Sequence, residues 1–263
     1  MKILFIGDVV GKPGRNAVAA LVPKLRRERD VSLVVANGEN SAHGAGLTAS
    51  TVQTLLDAGV DVITSGDHTW DQKEIYEVIE REPRLLRPLN FPPSSPGRGS
   101  AVVNVEDKTA VAVVNLIGRV YLPNNDCPFR AAHAEVARLH KQTNLIIVDF
   151  HAEATSEKIA MGRFLDGQVS AVLGTHTHVA TADERILPKG TAYISDVGMC
   201  GPHDSVLGRE VDAVLRRFLT QMPQKMEVAS GDIALCGVIV EVDENTGRAR
   251  LIERIRVPYN GAL

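Results

Sequence analysis

Short apolar runs alternate with amphipathic stretches along most of the chain, and the runs keep stopping at the same chemistry. Lys2–Ile6, Val31–Ala36 and Val60–Thr64 are apolar on both faces, as strands buried in a parallel sheet must be. Leu145–Phe150 and Val169–Leu173 read the same way further along. Between them the period becomes helical. One helix runs from Pro13 to about Arg29, with Val18, Leu21, Val22 and Leu25 on one face. Others follow from the Thr48 cap to about Ala58, from Glu74 to about Arg81, over Arg130–Lys141, and over Thr155–Phe164 capped by Thr155 or Ser156. Such alternation predicts a parallel sheet with right-handed crossovers. Ala101–Val105 and Thr109–Asn115 predict a hairpin around Glu106–Lys108 that opens a second sheet. Ile233–Val242 and Ala249–Val257 predict another, around Glu244–Gly247. Before it, Thr191–Ile194 is a strand, Met199–Gly208 reads as an irregular loop over the site and Arg209–Gln221 as a helix. A Pro-rich stretch around Pro88–Pro96 crosses the surface.

Composition narrows the class without changing that picture. The 263 residues show no composition shift that marks a linker, so a single domain over 1–263 is expected. A net charge of -3, from 29 basic and 32 acidic residues, argues against a protein that coats nucleic acid. MKILFIGDVVG breaks its apolar run at Gly7 and Asp8, which suits a first core strand rather than a signal peptide. No apolar run approaches the ~20 residues that cross a bilayer. Cys127, Cys200 and Cys236 are odd in number and show no zinc spacing, so reduced thiols and a cytoplasmic location are expected.

The strand ends carry the chemistry. Gly7-Asp8, Gly38-Glu39-Asn40, Gly66-Asp67-His68, His151 and the stretch Gly174-Thr175-His176-Thr177-His178 each follow an apolar run, where open α/β sheets place ligands. On an extended backbone His176 and His178 point the same way. Carboxylates and imidazoles in this number suit two first-row cations such as Fe, Mn or Zn. Two divalent cations against the three carboxylates leave about one positive charge, which favours a phosphate oxyanion, and a metal pair ~3.5–4 Å apart can clamp an in-line displacement. A serine hydrolase is disfavoured by the absence of a G-x-S-x-G elbow. The glycines of GDVVGKPGR do not have dinucleotide or Walker spacing, although Lys12 and Arg15 could face an anion there.

In this order, GD, GEN, GDH, a lone His and G-x-H-x-H, the chain resembles the calcineurin-like metallophosphoesterases over positions 7 to 178. The wording GDVVGKPGR, NGENSAHGAGLT, GDHTWD, HAEATSEK, GTHTHV and DVGM is similar to the bacterial YmdB-like branch, almost end to end. The resemblance implies a four-layer α/β/β/α sandwich and a two-metal phosphodiesterase acting on 2′,3′-cyclic nucleotides through a metal-bridging hydroxide. It implies that Asp8 and His178 hold one metal, that Asp67, His151 and His176 hold the other, and that Glu39 bridges both. His68 would be the general acid. Repulsion from two cations lowers its proton affinity, so it needs a carboxylate; Asp71 is the candidate, against a solvated role at a helix start.

Three positions depart from the wider family. The usual D-x-H is here Asp8-Val9-Val10, so one histidine ligand is missing, and Asn40 is the natural replacement through its amide oxygen. Glu39 stands for the usual bridging Asp, and Asp67 for the usual Asn. Together they make an oxygen-rich site that favours Fe or Mn over Zn.

Two alternatives stay open: a phosphomonoesterase or protein phosphatase with the same metals, and a regulatory module that holds a nucleotide or RNA end without turnover. RNA ends and self-association also stay open as partners. Among the remaining candidates, His43 and His203 lie in Gly-rich loops that could line the pocket, whereas His133 and His140 read as surface or core. Lys158 and Arg163 could hold a phosphate or cover the surface. Trp70 could stack on a base but reads as packing. Ser195 and Asp196 should end a strand near the site without touching metal.

Overall fold

The computed structural model describes residues 1–105 and 109–261; the turn expected at 106–108 lies outside the described residues. Strand β1 (Lys2–Ile6) leads into the short β2 (Asp8–Val9) and α1 (Gly11–Arg29). Then come β3 (Leu33–Asn37), α2 (Ala49–Asp57), β4 (Val62–Thr64) and α3 (Ile75–Arg81). The second half holds β5 (Ser100–Val105), β6 (Thr109–Ile117), α4 (Pro128–Leu139), β7 (Ile146–His151), α5 (Thr155–Leu165) and β8 (Ala171–Thr175). It ends with β9 (Arg185–Ile186), β10 (Ala192–Ile194), β11 (Met199–Asp204), α6 (Val211–Thr220), β12 (Gly231–Val242) and β13 (Ala249–Pro258).

These strands form a seven-stranded sheet in the order β2-β11-β12-β1-β3-β4, with β13 paired to β12, and a six-stranded sheet in the order β5-β6-β7-β8-β10-β9. The middle of each is parallel: β1 with β3 and β3 with β4 in one, β6 through β7 and β8 to β10 in the other. The period of two in each strand sorts its residues between cores. Ile3, Phe5, Leu33, Val35 and Val62 meet Val111, Val113, Ile147, Ala171 and Leu173 between the sheets. Leu4, Ile6, Val34 and Ala36 face α1 and α2 through Val18, Val22, Val52 and Leu55. On the opposite side, Val114, Leu116, Val148 and Phe150 pack on Val136 and Leu139 of α4 and on Met161 and Leu165 of α5. Three apolar seams between four layers give the α/β/β/α sandwich, and they explain why these strands are apolar on both faces.

Several expected boundaries shift. Residues 199–204 are a strand, not an irregular loop: Met199 pairs with Asp8 and Cys200 with Leu235, so the segment closes the first sheet. Helix α6 begins at Val211, and Arg209 lies before it. Helix α5 has Ala154 at its cap position with no side-chain cap bond, so neither Thr155 nor Ser156 caps it. Helix α1 begins at Gly11 and carries Pro23 within it. Thr48 does cap α2, bonding the Thr51 N–H while the Thr51 hydroxyl accepts the Thr48 N–H. No described helix is long and apolar enough to cross a membrane.

Candidate metal centre

All eight residues singled out at strand ends come to one edge of the sandwich. Asp8 follows β1, Glu39 and Asn40 follow β3, and Asp67 and His68 follow β4; His151 closes β7, and His176 and His178 follow β8. The two sheets divide the donors by element. The seven-stranded sheet supplies the oxygens of Asp8, Glu39, Asn40 and Asp67, and the six-stranded sheet supplies the imidazoles of His151, His176 and His178.

His151 Nε2 lies 3.1 Å from Glu39 Oε1, 3.1 Å from Asp67 Oδ1 and 3.0 Å from His176 Nδ1. Ligand atoms of these four residues all fall within 4.8 Å of one another. Beside them, His178 Nε2 is 3.2 Å from Asn40 Oδ1 and 3.9 Å from Asp8 Oδ1. Asp8 Oδ1 is buried without a hydrogen-bond partner, which is costly for a carboxylate oxygen. A bare buried carboxylate oxygen beside imidazole nitrogens that converge on other acids is a donor set that a cation satisfies, so these residues fit a metal. Gly66 makes the convergence possible, because a Cβ there would strike Glu39 Oε2 and His151 Nε2.

The far nitrogen of each imidazole is engaged as well. His151 Nδ1 is 2.9 Å from Thr175 Oγ1, which donates at 2.7 Å to Asp149 Oδ1. His176 Nε2 is 3.1 Å from Glu153 Oε2, and His178 Nδ1 is 3.1 Å from the Leu207 carbonyl. Each acceptor holds a proton on the far nitrogen and leaves the near one free to ligate. The field at the site favours positive charge. Burial opposes charge on His151, yet Glu39, Asp67 and Asp8 hold its pKa well above the usual value. Burial likewise works against the Asp67 carboxylate, but hydrogen bonds from His151 and His176 hold its pKa far below the ordinary range. Asp149, wholly buried, is pushed up to about 6 by that burial.

The histidine pair departs from the extended geometry expected of it. His176 has φ 101° and His178 has φ 64°, both left-handed for residues with a Cβ. Such conformations cost about 1–2 kcal/mol apiece and persist where the surroundings enforce them. His68 stands half-exposed at the rim. Its Nδ1 is 2.8 Å from Asp71 Oδ2, so Asp71, exposed and ahead of α3, is its partner. Burial lowers the imidazole's proton affinity, and Glu39, Asp67 and Asp71 together outweigh it and raise the pKa.

Other candidates fall elsewhere. Lys158 neither holds a phosphate nor covers the surface: it is buried and paired with Asp196 at 2.7 Å. Arg163 is exposed. Trp70 packs on Tyr76 and Phe91, with ring centroids 5.6 and 5.8 Å away. His203 lies on β11 with Nε2 3.6 Å from Cys236 Sγ, and the His43 side chain lines a neighbouring depression with Lys12. Arg15 donates to the Ser41 carbonyl instead of facing an anion. His140 Nε2 donates to the Gln168 carbonyl at 2.8 Å, and His133 packs near Phe164. Sequence reasoning passed over Glu153 and Arg209, which line the pocket wall; Leu207, in the loop expected over the site, lines it too. Arg209 lies over Gly44 and donates to the carbonyls of His43, Gly44 and Met226. Asp149 had a legible signal: two residues before His151 on one strand, it shares that residue's face.

This sandwich, with its acids and imidazoles at one edge, defines a metallophosphoesterase-type protein. A family model described as YmdB-like protein matches residues 4–255. A relative from Bacillus subtilis (strain 168), named 2′,3′-cyclic-nucleotide 2′-phosphodiesterase, is 51% identical over 98% of this chain and 97% of its own. A putative phosphatase/phosphodiesterase from Mycoplasma pneumoniae is 42% identical over 98% of this chain and 93% of its own. Among solved structures, a hypothetical protein from Thermus thermophilus superposes with a TM-score of 0.92 at 42% identity, covering 98% of this chain and 99% of that one. A phosphatase from Mycoplasma pneumoniae gives 0.91 at 41% identity, over 98% and 93%. The chain belongs to the YmdB-like family.

Proposed function

We propose that the protein is a dinuclear metal-dependent phosphodiesterase that hydrolyses 2′,3′-cyclic nucleotides in the cytoplasm. The observation that carries this reading is the meeting of oxygen donors from one sheet with imidazoles from the other, with a histidine–carboxylate pair at the rim. Asp8, Asn40 and His178 would hold one cation, Asp67, His151 and His176 the second, and Glu39 would bridge them. With four oxygen-bearing ligands against three imidazoles, the site favours Fe or Mn over Zn. Metals bound there would neutralise charge on the phosphoryl oxygens and lower the pKa of water.

The protein's own part is to orient and to move a proton. His68 presents Nε2 to the pocket while Asp71 accepts from Nδ1, so the imidazolium is held charged and aimed. Water adds to phosphorus and releases one proton to the medium, the bond from phosphorus to the 2′ oxygen breaks, and that oxygen takes the His68 proton, which the medium then restores. A nucleoside 3′-phosphate results. The same chemistry extends to an RNA end that carries a 2′,3′-cyclic phosphate.

The test is hydrolysis of 2′,3′-cyclic AMP by manganese-loaded protein, with 3′,5′-cyclic AMP, a phosphomonoester and a cyclic-phosphate oligonucleotide alongside. Selective turnover of the 2′,3′ ester, abolished by a chelator, is expected. Preference for the monoester would move the assignment to a phosphatase, and no turnover with metal bound would move it to a binding module. Asp71→Asn is expected to lower kcat roughly 10-fold with metal content unchanged, because an acceptor remains but the charge that holds the proton is lost. Steady-state kinetics beside elemental analysis checks it.

A further inference from the structure

We infer that Asp196, with Lys158 as its counter-ion, is a positioning residue that holds His176 and His178 in ligating geometry. This rests on the reading of those two histidines as metal ligands. Between them sits Thr177, and both of its donors go to one carboxylate oxygen: the backbone N–H at 3.0 Å and the hydroxyl at 2.8 Å from Asp196 Oδ2. The Lys158 ammonium reaches the same oxygen at 2.7 Å, and the Gly198 N–H donates to Oδ1 at 2.8 Å. Asp196 and Lys158 are 1% and 2% exposed, so the ion pair between them is shielded from water. Both carboxylate oxygens therefore accept from donors of other residues: Oδ2 from Thr177 and Lys158, Oδ1 from Gly198.

The peptide so gripped is the one flanked by the two left-handed histidines, at φ 101° and 64°. Backbone in that region relaxes unless something holds it, and both neighbours of Thr177 are in it. The grip also joins ligand-bearing segments. Lys158 sits in the first turn of α5, just after His151, and Asp196 follows β10. Gly174 lets the segments close: a Cβ there would run into the Ser195 carbonyl and come within 3.2 Å of Lys158 Cδ. Asp196 itself touches neither donor cluster directly, so it acts through Thr177.

The experiment compares wild type, Asp196→Asn and Thr177→Val by calorimetric titration of the apoprotein with manganese and by amide hydrogen exchange. Asp196→Asn is expected to weaken manganese binding about 10–100-fold, the usual cost of losing a group that orients a ligand. Thr177→Val, which loses one of two bonds, should weaken it about 3–10-fold and serves if the first variant fails to fold. The Thr177 amide should lose protection in Asp196→Asn while amides in β1 and β7 keep theirs. A purely structural role predicts lower stability with unchanged affinity of the folded protein. Affinities within twofold of wild type in both variants, or a Thr177 amide protected as before, would overturn the proposal. Wild type that takes up no manganese would instead sink the metal reading, and the exchange result alone would then decide whether Asp196 fixes the loop.

Discussion

Glu39→Gln is expected to lose bound metal and turnover together, with kcat/KM falling by at least about 10³-fold. Glu39 is 1% exposed, its Oε1 is 3.1 Å from His151 Nε2, and its Oε2 accepts the His68 backbone N–H at 3.2 Å. An amide of the same shape has one oxygen instead of two and brings N–H donors into a space where lone pairs converge. It also removes one of the three carboxylate charges that would offset the two proposed cations. The fold should survive without metal, because His151 keeps Asp67 at 3.1 Å. Manganese should raise the melting temperature of wild type, since it binds only the folded state, and leave the variant nearly unmoved. Elemental analysis, melts with and without manganese, and kinetics read the three effects separately. Full metal content with wild-type turnover would remove Glu39 from the bridging position.

His68→Asn should separate chemistry from metal binding. A drop in kcat of about 10²–10⁴-fold is expected for a lost general acid, with metal content unchanged. His68 stands outside the donor cluster: its Nδ1 faces Asp71 and its Nε2 is 3.9 Å from Asp67 Oδ2. A diester with an acidic leaving group, such as bis-p-nitrophenyl phosphate, needs no proton on departure, so the variant should lose far less on it. Equal losses on both esters would show that His68 positions the substrate rather than protonating it.

Much of this architecture is legible in the sequence, for a physical reason. Strands covered on both faces must be apolar throughout, so their ends stand out where glycine, acid or histidine breaks the run, as at Gly7-Asp8 and Gly66-Asp67-His68. Blocks of one to five residues therefore mark the edge and its donors. What stays hidden depends on contacts between segments far apart in the chain. Residues 199–204 look irregular alone because Gly201 and Pro202 disfavour a strand, yet partners on two sides, β2 and β12, supply the pairing. Lys158 reads as a phosphate holder or a surface residue until Asp196, 38 positions later, is seen beside it. The left-handed histidines look extended in the sequence because local alternation carries no information about a carboxylate that grips the peptide between them. Arg209 looks like the first turn of a helix, and only the carbonyls of His43, Gly44 and Met226 draw it to the pocket wall.

The division of donors between the sheets has a mechanical consequence. Acids on one layer and imidazoles on the other meet only while the layers stay in register, so a cation held between them would act as a clasp across the seam. Its binding energy is then spent on adhesion between the layers as well as on chemistry. A slip of one sheet past the other would part the donors, so loss of metal should be an early symptom of wear along this seam.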